Sequence, residues 1–322
     1  MIRFITRRLA QALPTVLLIF ALSFFLLKLA PGDMAAVMAG ESGGGSAEYV
    51  QNLREQYGLE RPMILQLFSY LKNVATLNLG YSYRQNMPVF DLIMSRLGPT
   101  ALLMLTSFAV SILAGVALGI AAARNVNRPV DRVISVISTL GYATPLFWVG
   151  LMLILLFSIT FRQLPTSGME NVAAFNEGFA RVKDIAWHLV LPVVSLSLFY
   201  TAVYTRLMRA SLLEQSKMNY VVTAEAKGLA PRKVMYGHVL RNALLPILTM
   251  AGVQIGSMLG GSIIIESVFG WPGMGLLAYE ALFARDLNLL MGILIVSSVM
   301  VILINIAVDV LYAVVDPRIQ LN

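Results

Sequence analysis

The chain has 322 residues, of which 58% are hydrophobic and 13% charged, with a mean hydropathy of +0.75. A soluble globular chain carries about a quarter charged residues, so this composition excludes one and calls for a bilayer as solvent. The net charge of +7 would suit nucleic acid if clustered, but its placement follows the membrane instead; the absence of cysteine excludes disulfides, thiolate metal sites, a lipoprotein anchor and a cysteine nucleophile.

A helix crossing the hydrocarbon layer needs about 20 apolar residues. Six segments meet that length: 9–30, 100–123, 133–160, 187–204, 244–268 and 289–315. The first follows Arg3, Arg7 and Arg8; its apolar run exceeds a signal-peptide core of about 7–15 residues, so an uncleaved signal anchor is expected. Lys28 at its far end can snorkel to the headgroups. The outer segment 31–98 is too long for a simple loop. Gly43 to Ser46 reads as a flexible joint, and 47–57 and 62–74 read as helices, the second with Pro62 in its first turn and Ile64, Leu67, Phe68 and Leu71 on one face. That face predicts a helix resting on the bilayer or on the chain's own bundle. The fourth apolar segment is the weakest, since Pro192 interrupts it and Ser195, Ser197 and Thr201 soften it.

Six spans put both ends of the chain on one side. With the N-terminus inside, 14 Lys and Arg fall on the inner pieces, among them Arg124, Arg128, Arg132, Arg206, Arg209, Lys217 and Lys227. The outer loops hold nine, matched by 11 acids. The positive-inside rule then predicts both termini in the cytoplasm. It also makes the positive charge a matter of topology, leaving no footprint for nucleic acid.

The inner segment 206–241 is polar but helical in pattern. Residues 216–227 predict a short helix ending at Gly228, a suitable left-handed cap. Pro231 then starts a second helix, and Arg241 to Pro246 leads into the fifth span. Two short helices stiffly joined to the spans make a protrusion able to receive force from a soluble partner. Within the fifth span Gly252, Gly256 and Gly260 repeat every four residues and form a flat face that lets another backbone approach closely, as in packing inside the chain. Gln254 and Ser257 on the same helix are penalised by hydrocarbon, and Gln254 is read as a pathway residue. Gly115 and Gly119 read as packing glycines. Glu266, near the outer end of that span, reads as a structural cap or ion pair ahead of a substrate contact, and Asp309 as a hydrogen-bonding group at the base of the last span.

Enzyme motifs are missing. There is no phosphate loop, no His-Glu-x-x-His and no Gly-x-Ser-x-Gly. His188 and His238, the only two histidines, read as structural, and no metal site is expected.

The chain resembles the permease subunits of bacterial ATP-binding-cassette importers, specifically the peptide/nickel uptake subfamily. The residues that carry the resemblance run nearly end to end: Arg8-Leu with Pro14-Thr, Pro31-Gly-Asp33, Tyr57-Gly-Leu59 with Pro62, and Leu79-Gly80-Tyr-Ser. They continue through Gly141-Tyr with Pro145-Leu-Phe-Trp148, Ala224-Glu-Ala-Lys-Gly228-Leu, and Arg241-Asn-Ala-Leu-Leu-Pro246. Glu266, Phe269, Trp271-Pro-Gly273, Asp309 and Asp316-Pro-Arg318 close the series.

The resemblance implies an all-α membrane protein with about six transmembrane helices, the type I importer permease fold and a long external segment after the first helix. Residues 1–30 then form the N-terminus and first span, 31–98 the periplasmic segment, 99–315 the core and 316–322 the tail. It also implies a non-catalytic subunit of the bacterial inner membrane, pairing with a second permease to take up peptides from an external binding protein. Nickel chelates, glutathione or sugars are alternative cargoes, and a self-sufficient secondary transporter is the alternative of another class. Two ATPase subunits would bind ATP and Mg²⁺, with no cofactor on this chain. The family's coupling helix maps onto Tyr220, Val222, Thr223, Ala224, Glu225, Ala226, Lys227 and Gly228. Its glycine matches Gly228, its alanines fall on Thr223 and Ala224, and its glutamate falls on Val222. The salt bridge of that glutamate is not carried over to Glu225. The resemblance also implies that the fifth span, with Gly252, Gly256 and Gly260, lies near the pathway and the partner permease.

Overall fold

The computed structural model describes residues 2–29, 47–56, 61–82 and 84–315. They form two compact units, one from the described residues before Pro99 together with Leu277–Val310, the other from Pro99–Leu276. The expected joint at Gly43 to Ser46, the Pro31-Gly-Asp33 motif, Tyr57 to Leu59 and the tail 316–322 lie outside the described residues. So do the side chains of Lys28 and Asp309.

In the first unit, helix α1 (Ile2–Leu29) turns Leu17, Leu18, Leu22 and Phe25 outward. Helix α2 is Ala47–Gln56 and helix α3 is Met63–Ala75, close to the predicted limits, with Pro62 standing just before the first turn of α3. Helix α3 meets α1 where the rings of Phe24 and Tyr70 lie 5.6 Å apart. Burial there pushes the Tyr70 hydroxyl up to about 12. The opposite face of α3 is bare, with Ile64 and Phe68 exposed. A two-residue hairpin follows, β1 (Tyr81–Ser82) paired antiparallel to β2 (Met87–Pro88). The Ser82 hydroxyl donates to Asp286, whose other oxygen accepts the Leu289 amide at 3.0 Å. That amide opens helix α12 (Leu287–Val315), so one carboxylate ties the hairpin to the last span.

The second unit is built around α7 (Gly178–Gln215), which runs unbroken through Pro192. The weakest of the predicted apolar segments is thus part of a helix long and apolar enough to span a membrane. Helix α4 (Val89–Arg124) lies against it. A Cβ on Gly119 would stand 2.9 Å from Met208 Cγ and from the Thr205 carbonyl oxygen, and one on Gly115 would collide with Tyr204. Both positions need glycine for close helix approach, as their spacing suggests. Helix α10 (Leu240–Phe269) packs on the other side of α7. Its close-contact glycine is Gly261, where a Cβ would stand 3.2 Å from Leu196 Cδ1 and 3.4 Å from Leu146 Cδ1.

Two expectations are corrected. Segment 133–160 is not one straight span. It is α5 (Pro129–Ala143) followed by α6 (Leu146–Leu153), which continues as a π-helix over Ile154–Thr160, and the two halves are bent by 107°. The cause is local: Thr144 precedes Pro145, is driven from the helical region to ψ 130°, and Pro145 follows at ψ 137°. The protrusion at 206–241 also holds one separate short helix, not two. Helix α8 (Asn219–Ala226) stands alone, while α9 (Pro231–Val234) passes through a π-helical turn, Met235–Val239, directly into α10. Among the described residues, four helices are long and apolar enough to cross a membrane and the bent pair makes a fifth; in α1 the apolar stretch is Pro14–Phe25.

Candidate coupling and pathway site

Helix α8 leaves α7 by a turn at Met218, whose ψ of 148° breaks the helix. Three contacts fix its pose. The Tyr220 hydroxyl donates to Gln215 Oε1 at 2.9 Å, and Val221 and Ala224 are buried. Its far end closes on Gly228 at φ +71°. The Leu229 amide reaches back to the Ala224 carbonyl at 3.3 Å and the Gly228 amide to Glu225 at 2.9 Å. That nested pair of bonds satisfies the last carbonyls and aims the chain at Pro231. Val222, Thr223, Glu225, Ala226, Lys227 and Gly228 remain exposed, so the predicted coupling residues divide into an anchored face and a bare one. Val222, 61% exposed, stands where the resemblance puts a glutamate. Lys217, Lys227, Arg232, Lys233 and Arg241 are all exposed around it, giving the protrusion a basic surface.

The base of the protrusion is held by a pair that sequence reasoning missed. Arg209 donates to Asp131 through Nε to Oδ1 at 2.6 Å and Nη2 to Oδ2 at 2.8 Å. Asp131, 5% exposed, also accepts the Asn127 amide at 3.0 Å. This bidentate clamp joins the start of α5 to the end of α7, the helix from which α8 departs. The two residues are 78 positions apart, and neither spacing nor motif signals the pairing. Asp131→Asn keeps the shape but removes the charge, leaving a guanidinium without its partner at a mostly buried point. We expect a loss of about 1–3 kcal/mol, read as a lower thermal midpoint of the purified complex. A double replacement with Arg209→Met should recover part of it.

In α10, Gln254 and the half-buried Gly252 and Gly256 lie near exposed Val253, Ser257 and Gly260. A Cβ on Gly260 would meet nothing within 4 Å among the described residues, so no close approach there calls for glycine. Ser257 Oγ hydrogen-bonds Gln254 Oε1 at 2.9 Å. The five predicted residues thus fall on or beside an uncovered strip of the span.

Glu266 is completely buried, at 0% exposure. Its Oε1 accepts the Thr100 hydroxyl at 2.8 Å, and its Oε2 accepts the amides of Gly275 at 2.6 Å and Leu276 at 3.0 Å. Thr100 Oγ1 in turn accepts the Met274 amide at 2.7 Å. These three amides open α11 (Met274–Ala284), so Glu266 is a cap, the role preferred from sequence. Trp271, fully buried, donates Nε1–H to the Pro99 carbonyl at 2.9 Å. In the first turn of α7, the Arg181 guanidinium hydrogen-bonds Glu170 of the preceding loop at 2.6 Å and holds its carboxyl below the usual range.

Long apolar helices and a bent apolar pair, with a short polar helix anchored between two of them, mark a multi-pass membrane protein. The chain belongs to the family described as binding-protein-dependent transport system inner membrane component, which it matches over residues 115–321, and residues 1–105 match that family's N-terminal membrane-component region. It is 40% identical to a putative peptide permease protein of Brucella suis biovar 1, over 100% of both chains. It is 37% identical to the oligopeptide transport system permease protein AppB of Bacillus subtilis, over 99% of this chain and 100% of that one. An inward-facing structure of the MetNI methionine ABC transporter shares its fold, with a TM-score of 0.55 and 16% identity over 70% of this chain and 96% of the other. The fold is therefore that of an ABC importer permease.

Proposed function

We propose that this chain is one of two permease subunits of an ATP-driven peptide importer, and that α8 is its coupling helix. The observation that carries the reading is the construction of α8: a basic protrusion with a bare outer face, held to α7 on one side and joined through Gly228 and α9 to α10 on the other. Force applied to Val222, Thr223, Glu225, Ala226 and Lys227 reaches two spans through stiff connections. Both termini and the protrusion face the cytoplasm, as the excess of inner Lys and Arg requires. Two ATPase subunits bind ATP and Mg²⁺, one of them docking on α8, and this chain carries no cofactor. A second permease meets the uncovered strip at Gly252, Gly256 and Gly260, with Gln254 and Ser257 facing the route between them. An extracytoplasmic binding protein delivers the peptide, the cargo supported by the full-length peptide-permease relatives.

The test is uptake of a labelled peptide into vesicles holding both permeases, with its binding protein present. Uptake should require the ATPase subunits and ATP. Uptake that continues without them would instead identify a self-sufficient secondary transporter, and ATP-driven uptake of a nickel chelate or sugar in place of peptide would overturn the cargo.

A further inference from the structure

An arginine just past the end of a membrane helix ordinarily extends outward to the headgroups. Arg206 does the reverse. It follows the 187–204 span on α7, yet its Cζ lies 4.3 Å from the centre of the Tyr142 ring. Tyr142 is thirteen residues beyond Pro129, the start of α5, or roughly 20 Å along the helix axis. Its neighbour Gly141 lies against Leu198, two turns nearer the middle of the span than Arg206. The guanidinium therefore points into the membrane layer. Both Arg206 and Tyr142 are exposed, and Arg206 has no acidic partner among the described residues. A cation facing lipid at that depth is strongly disfavoured, and ionisable groups placed this way mark aqueous routes.

The surroundings continue the pattern. Tyr142 stacks on Phe199 with ring centres 5.0 Å apart and planes 19° from parallel. Phe199 meets Tyr200 edge-on at 5.2 Å. The Tyr200 hydroxyl lies beside Ser257, which bonds Gln254. A polar and aromatic track thus crosses from α5 over α7 to α10, with one unneutralised cation at its inner end.

We propose that this track is a subsite of the translocation route in which Arg206 takes the free carboxylate of the passing peptide. The inference rests on the peptide-importer reading above. A guanidinium offers two parallel donors to a carboxylate, and the Tyr142 face holds it in place without occupying those donors. With a single cation and no enclosing cage, the site binds weakly enough to release its cargo, as a conduction route requires.

The chain's lack of cysteine makes a direct test available. Tyr142→Cys is placed in the full transporter and exposed to an anionic methanethiosulfonate (the ethylsulfonate) and its cationic trimethylammonium counterpart, reading modification of this chain alone. The anionic reagent should react faster by about tenfold, and Arg206→Gln on the same background should erase that preference. Saturating peptide during ATP-driven turnover should slow labelling. In parallel, Arg206→Gln should lower peptide uptake about tenfold while Arg206→Lys keeps most of it, with binding-protein affinity unchanged. A cysteine inert to both charged reagents, or one labelled without regard to Arg206 and peptide, would overturn the proposal. If the wild-type complex takes up no peptide, the parent reading fails on that control, whatever the charge preference at Tyr142→Cys shows.

Discussion

Glu266→Ala is expected to remove about 3 kcal/mol or more of stability and to leave little intact complex after solubilisation. The size follows from what the carboxyl does. It accepts two backbone amides and one hydroxyl at a point sealed from solvent, and each buried donor left unpaired costs about 1–3 kcal/mol. Water cannot refill the place easily, because Gly273 and Gly275 bring the backbone close; a Cβ on Gly275 would stand 2.6 Å from Ile263 Cα and 2.8 Å from Glu266 Oε2. Glu266→Gln should fall between, since its amide group keeps one acceptor and turns donors toward donors. The measurement is the thermal midpoint in detergent beside the yield of intact complex. A melting curve for the alanine variant within a degree or two of wild type would remove Glu266 from its structural role and reopen a contact with substrate.

Much of this arrangement is legible in the sequence where the chemistry is local. Gly228 and Pro231 mark a helix end and a helix start because each residue type has its own backbone preference, and the structure has both features in place. Thr144-Pro145 carries the signal for a break, but the apolar run on either side masks it, and hydropathy alone reads one span where there are two segments at 107°. Continuity of α9 with α10 is hidden for the opposite reason. Pro231 looks like a fresh start, while the π-helical turn that carries the chain onward has no residue signature at Met235–Val239. Pairings across the fold are the least visible. Glu266 announces a cap but not Thr100, 166 residues away. Arg206 and Arg209 count equally toward inner positive charge, yet one closes a buried ion pair and the other lies over an aromatic ring. Charge counting sees only their sign, and the division of labour comes from which helix packs beside each.

Gly228→Val is expected to cut ATP-driven uptake by tenfold or more while the chain still inserts in the membrane. At φ +71° a β-branched side chain strains the backbone by about 1–2 kcal/mol, and among the described residues no neighbour lies within 4 Å of the missing Cβ to complicate the comparison. The penalty therefore acts on backbone direction alone. Relieving it means rotating the residue out of the left-handed region, which breaks the bonds from Gly228 and Leu229 to Glu225 and Ala224 and swings α8 away from its line into α9 and α10. The spans do not depend on those bonds, so the loss should appear in coupling before stability. Gly228→Asn supplies the control, since asparagine tolerates the left-handed region and should retain most transport. The decisive readouts are uptake per assembled complex and retention of the ATPase subunits on purification. Full activity in the valine variant would sink the role given to α8, whereas equal loss in both variants would mean that a partner surface presses directly on the glycine and leaves no room for any side chain.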